Sequence, residues 1–176
     1  FGPKLLPADT DNPDGYIEDI RSIELNRLAL ARKGKHPEWG FDQVDSASHR
    51  LSYANWFKQA VNYLEQRRTI TSYWGWKDPR NSLLLADWLE VEPSMKVIAV
   101  FREPWDVLAS LERSRHNFFS DCPTKAVDIW CNFNRKIIEF KTANPDRLIL
   151  IHTNEFLKNP NLLFEEMKDK WYCEIG

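Results

Sequence analysis

Glycine is scarce, with six in 176 residues and none clustered. A turn that wraps a phosphate with successive backbone N–H groups needs closely spaced glycines, and this sequence contains no such cradle. Cysteine is equally sparse. Cys122, Cys131 and Cys173 are an odd number without metal-ligand spacing, which excludes a closed disulfide framework and a zinc module and points to a reducing, cytoplasmic setting. His36, His49, His116 and His152 also lack ligand spacing, so no metal centre is expected. No apolar run approaches a membrane span and no secretory leader is visible. A formal net charge of −2 provides no broad basic face for a nucleic acid, so any nucleotide has to be gripped locally. Repeats, low-complexity tracts and internal linkers are missing too, leaving one domain's worth of chain, residues 1–176, long enough to bury a core.

Aromatic residues are plentiful, with eight tryptophans and ten phenylalanines. Most belong in a core. Trp74 and Trp76 alternate just before Lys77, so they share one face and are placed to wall a nucleotide or acceptor pocket. Trp105, at the start of a helix, suits either a base-stacking surface or a hydrophobic staple.

Periodicity gives an α/β alternation. Ile17, Ile20, Ile23, Leu25, Leu28 and Leu30 mark a helix over 17–33. Residues 34–48, with Gly34, Pro37 and Gly40 among polar groups, read as a loop long enough to belong to an acceptor site. Ser48 or its neighbour is expected to cap a helix running to about Arg67, followed by a strand at Thr71 to Trp76 and a helix from about Asn81 to Leu89. A strand at 96–101, a helix from Pro104 to about Arg115, a long helix at 123–142, a strand at 147–152 and a helix from Pro160 to about Trp171 complete the series. Three strands separated by helices imply a parallel sheet with right-handed crossovers.

The stretch from Lys96 to Arg113 carries the most chemical information. The run 96–101 is short, β-rich and nearly uncharged, as a strand buried on both faces of a parallel sheet is. Arg102 follows it, and Pro104 suits the first helical position, where a missing N–H costs nothing. A helix N-terminus beside a guanidinium suits a phosphate or sulfate. The plainer alternative is an arginine paired with Glu103 or Asp106.

Residues 74–80, Trp-Gly-Trp-Lys-Asp-Pro-Arg, then an amphipathic helix, the strand, Arg102-Glu103-Pro104 and Ser110 follow one another in an order that resembles the sulfotransferase superfamily dependent on 3'-phosphoadenosine 5'-phosphosulfate, in its bacterial and Golgi-type branches. Asn12-Pro-Asp-Gly15-Tyr16-Ile17-Glu18 resembles that family's Asn-x-x-Gly-Tyr-Phe-Glu stretch. Trp130-Cys-Asn-Phe-Asn134 and the run Ile149 to Pro160 resemble its Trp-x-x-Tyr-Asn helix and its last strand with the sequel. The resemblance implies a P-loop-NTPase-like three-layer α/β fold around a parallel sheet. It also implies that Arg102 and Ser110 hold the 3'-phosphate, and that the reaction is in-line sulfuryl transfer to a hydroxyl or amine of a small-molecule or carbohydrate acceptor, without a metal. The family's phosphosulfate-binding turn is missing from this sequence, which begins at Phe1-Gly2-Pro3. The expectation is therefore a chain lacking the first strand and its loop. The alternative is a relative that dispenses with the loop, has lost catalysis and serves as a nucleotide-binding or interaction domain.

Such a reaction needs a base for the acceptor and a cation for the departing oxygen. The cytosolic branch places a histidine shortly after the lysine that ends its second strand; here that region reads Lys77-Asp78-Pro79-Arg80. Other branches use a glutamate, which makes Glu18 the candidate base and Asp78 the second candidate, although an acid in a first helical turn also complements the dipole. Lys77 either contacts the sulfonate or bridging oxygen or pairs with Asp78. A phosphoryl-transferring P-loop enzyme needs a Walker lysine and a magnesium-binding acid at a strand end, whereas the strand ending at Phe101 presents Arg102.

Overall fold

The computed structural model describes residues 4–8, 12–13, 15–42, 52–70, 74–113 and 123–171. The chain divides into two compact units, Phe1–Pro93 and Ser94–Gly176.

The first unit is helical. Helix α1 spans Ile20–Arg32, and Asp19 caps it by accepting from the backbone N–H of Arg21 at 2.8 Å. Helix α2 spans Tyr53–Arg68 and is capped by Ser52, whose hydroxyl accepts from Asn55 N, rather than by Ser48, which lies outside the described residues. A 3₁₀ turn at Pro79–Leu83 leads into helix α3, Leu85–Val91. Leu25, Ala29 and Leu30 of α1, Trp56, Ala60 and Leu64 of α2 and Trp88 of α3 are buried together as the core. The Trp56 and Trp88 rings meet edge to face at 5.6 Å, and both indole N–H groups are satisfied, by the Leu25 carbonyl and by the Asn26 side chain.

The strand expected at 71–76 does not form over its described part. Residues 71–73 lie outside the described residues, and 74–78 form no regular element and have no strand partner among the described residues. Trp74 and Trp76 nevertheless share one side, where their rings stack at 5.6 Å. Trp76 packs onward against Tyr63 and Trp88, so this segment is secured by side chains where a sheet would use backbone hydrogen bonds.

The loop after α1 folds back on itself. Lys35 and Asp42 form an antiparallel bridge, His36 N donates to Phe41 O, and Gly40 N donates to His36 O. Gly40 has φ +69°, and a Cβ there would stand 2.2 Å from Leu83 Cδ1, so the loop rests directly on the 3₁₀ turn.

The second unit is α/β. Strand β1, Val97–Phe101, pairs in parallel with β2, Leu148–His152, with Val97 opposite Leu148 and Phe101 opposite His152. Between them come helices α4, Pro104–Arg113, and α5, Pro123–Ala143. After β2 follow α6, Thr153–Lys158, a short helix that sequence periodicity does not signal, and α7, Asn161–Trp171. Among the described residues the sheet has two strands. Ala99, Leu148, Ile149 and Ile151 are buried, but Ile98 and Val100 remain 41% and 55% exposed, so β1 is covered on one face and not, as expected, on both. Among the described residues no helix is long and apolar enough to cross a membrane.

Candidate functional site

In the first unit, an Asn-x-x-Gly turn delivers Glu18. The Asn12 side chain donates to Gly15 O at 2.8 Å, Gly15 N donates to Asn12 O at 3.1 Å, and Gly15 adopts φ +81°, which glycine tolerates best. Ile17 then sits at φ +57°, a conformation that costs a β-branched residue about 1–3 kcal/mol. Backbone bonds just beyond it fix the chain, with Leu6 N donating to Glu18 O at 2.7 Å and Ile20 N to Lys4 O at 3.0 Å. The result is a glutamate side chain only 7% exposed at the entrance of α1.

Around it the charges form a continuous chain. Lys77 Nζ donates to Glu18 Oε1 at 2.7 Å and to Tyr16 O at 3.3 Å. The other carboxylate oxygen, Glu18 Oε2, lies 3.7 Å from Arg80 Nη2. Arg80 also donates through Nε to Asp78 and through Nη1 to Glu38 Oε2 at 2.6 Å, and Glu38 Oε1 takes Arg27 Nε. A guanidinium has donors enough to serve three carboxylates at once. The expected alternative pairing of Lys77 with Asp78 is not formed.

Asp78 is fully enclosed. It caps the 3₁₀ turn by accepting from Arg80 N at 2.9 Å, with Pro79 in the first turn position, and takes further bonds from Arg80 Nε and Asn26 Nδ2. Its oxygens are committed to orienting Arg80. Asn26, itself buried, also donates to Asn81 Oδ1 and accepts from Trp88 Nε1, each at 2.8 Å. Tyr63 is no alternative base at neutral pH, since burial, with Asp19 adding to it, pushes its phenol up to about 12.

The second unit presents a separate arrangement at the C-terminal ends of its parallel strands, the edge where open α/β sheets take ligands. Arg102 follows β1 and is exposed. Its carbonyl accepts from Trp130 Nε1 at 3.3 Å, and among the described residues its guanidinium pairs with neither Glu103 nor Asp106. Glu103 instead faces His152 Nε2 at 3.6 Å across the strand ends, and His152 Nδ1 accepts from Asn154 N to start α6. Thr153 Oγ1 donates to Phe101 O, tying the two strand ends together. Ser110 stands six residues beyond Pro104 on α4, partly exposed. Trp105 is 64% exposed, more than a packed staple permits.

Glu18, Lys77 and Asp78 thus belong to one charged cluster in the first unit, while in the second Arg102 precedes α4 and Ser110 lies in that helix's second half. Asn26, Glu38 and the threefold engagement of Arg80 were not foreseen from sequence. An Asp-Pro-Arg triplet does signal a capped turn start, but what its arginine reaches depends on which helix folds against it. Among the described residues no group of histidine, cysteine and carboxylate side chains is arranged to hold a metal ion. No family model, no curated protein and no solved structure matches this chain.

Proposed function

We propose that this protein is a sulfotransferase-like enzyme of P-loop-NTPase-like fold that binds 3'-phosphoadenosine 5'-phosphosulfate and transfers its sulfuryl group to a hydroxyl or amine. The observation that carries the reading is the exposed Arg102 between a parallel strand and the N-terminus of α4, whose guanidinium has no ion-pair partner among the described residues, because a cation so placed beside helical N–H groups suits a phosphate. Arg102 and Ser110 take the 3'-phosphate. Glu18 takes the proton of the acceptor as its oxygen or nitrogen bonds to sulfur. Within the first unit, Lys77 is suited to exchange its bond to Glu18 for one to the oxygen that leaves sulfur, stabilising the charge that collects there as the sulfur–oxygen bond breaks. Half-exposed and held at its tip, Lys77 is suited to such an exchange. Asp78 orients Arg80.

A second reading is favoured by the absence of a glycine-rich turn in these residues: the same nucleotide bound without transfer. Both readings predict that Arg102→Ala weakens 3'-phosphoadenosine 5'-phosphate far more than adenosine 5'-phosphate. One charge-assisted bond contributes about 1.5–3 kcal/mol, so the loss is roughly tenfold to a hundredfold. Calorimetric titration of both nucleotides into wild type and variant measures it, and equal losses for the two refute the assignment. Transfer of labelled sulfate from the donor to hydroxyl acceptors, abolished by Glu18→Gln, separates enzyme from binder.

A further inference from the structure

We propose that Arg80 is a positioning residue that acts on Lys77 through Glu18, keeping the ammonium loosely enough held to leave its carboxylate and meet an anion. The reasoning begins with the imbalance at Glu18. A buried carboxylate facing a single lysine concentrates its charge on that partner, and the low local dielectric makes the grip strong. Here Arg80 approaches the second oxygen, at 3.7 Å, so the charge of Glu18 is divided between two cations. Arg80 itself cannot move in and monopolise the glutamate. Asp78 holds its Nε and backbone N–H, and Glu38 holds Nη1 at 2.6 Å, which sets its distance from Glu18. Exposure follows the same division of labour, with the Arg80 side chain 11% exposed and that of Lys77 54%.

Glu38 belongs to the 35–42 loop, which Gly40 seats against Leu83. The loop thereby reaches the Glu18–Lys77 pair through Arg80. Glu38 is shared with Arg27, so a ligand that draws Glu38 away releases Arg80 toward Glu18 and loosens Lys77 further.

The two ends of this relay predict opposite effects. Arg80→Met leaves Glu18, Asp78 and Glu38 without their shared cation and throws the charge of Glu18 wholly onto Lys77. Acylation of the Lys77 amine by a water-soluble succinimidyl ester, followed by peptide mass spectrometry, should then slow by about threefold to tenfold relative to Lys136 and Lys158. Glu38→Gln removes a competing charge and frees Arg80, so the Lys77 rate should rise by about twofold or more. Arg80→Lys should fall between wild type and Arg80→Met. A Lys77 rate unchanged or raised in Arg80→Met, with the two reference lysines unaffected, overturns the proposal. Should that variant unfold the first unit, shown by lost hydrogen-exchange protection at α1 and α3, Glu38→Gln decides alone, and an unchanged or slower Lys77 rate there overturns the proposal.

The consequence for catalysis rests on the sulfotransferase reading: Arg80→Met should raise KM for the phosphosulfate donor more than it lowers kcat. The labelling does not depend on that reading. Selective slowing at Lys77 in a protein that transfers no sulfate would uphold the role of Arg80 and sink the enzyme assignment.

Discussion

Asn26 offers the sharpest test of how the first unit is held together, because one small side chain satisfies three buried or half-buried groups. Its amide donates to Asp78 and to Asn81, and its carbonyl accepts from the Trp88 indole, all at 2.8 Å. Asn26→Ala removes one charge-assisted bond, contributing about 1.5–3 kcal/mol, and orphans an indole N–H at a cost of about 1–3 kcal/mol. The terms share one site and do not simply add, so the expected loss is roughly 3–5 kcal/mol, at the severe end for a single substitution. Asn26→Asp should be as damaging, since it sets a second carboxylate against Asp78 and removes the donors. Because the chain forms two units, the loss is best read locally, by native-state hydrogen exchange at α1 and α3 alongside urea unfolding. A double-mutant cycle with Trp88→Phe, which keeps a ring but deletes the N–H, should return a coupling of about 1–2 kcal/mol. A loss below about 1 kcal/mol for Asn26→Ala, or a coupling near zero, would refute the network as a source of stability.

Two further perturbations follow from the same physics. Burial pushes the His36 imidazole below the ordinary histidine range, with Glu38 opposing, so the unfolded chain binds its proton first as pH falls. Stability from this group is present above about pH 6.5 and is lost on acidification; thermal midpoints between pH 7.5 and 5.5 should therefore fall less for His36→Asn, and an equal fall in both proteins would refute the point. On β1, Ile98→Thr and Val100→Thr should suppress aggregation on heating, read by light scattering, with stability changed by under about 1 kcal/mol each, since both side chains are substantially exposed; larger losses would mean that the face is covered.

The sequence pattern reached the helices well because their cores are written in local spacing. Leu25, Ala29 and Leu30 recur at helical intervals on α1, as Trp56, Ala60, Tyr63 and Leu64 do on α2, and burial follows. It reached β1 and β2 for the same reason, a short β-rich run bounded by turn residues. It failed at 74–76 because alternation and aromatic content describe an extended chain packed on one side, and whether a backbone partner lies beside it is a non-local fact. In the charged cluster of the first unit, Glu18, Lys77 and Asp78 were legible as candidates, but their pairing was not. Lys77 chose Glu18, 59 positions away, over its neighbour Asp78, and Asp78 chose Asn26.

That exchange of partners has a consequence for how the first cluster is stabilised. In an open sheet, functional groups at strand ends inherit their positions from ladder hydrogen bonds. Here the segment carrying Lys77 and Asp78 has no ladder among the described residues, and its placement comes from side chains: the Trp74–Trp76 stack, the Trp76–Trp88 contact, Asn26 on Asp78, and Glu18 on Lys77. Side-chain anchors fail one at a time, whereas a ladder shares strain along its length. The geometry of Lys77 should thus depend on residues of α1 and α3 that never approach it. Asn26 is the clearest case, since it holds the carboxylate that orients Arg80, which in turn divides the charge of Glu18. A substitution at Asn26 mild enough to leave the fold intact would therefore alter the reactivity of Lys77 before it altered the melting temperature.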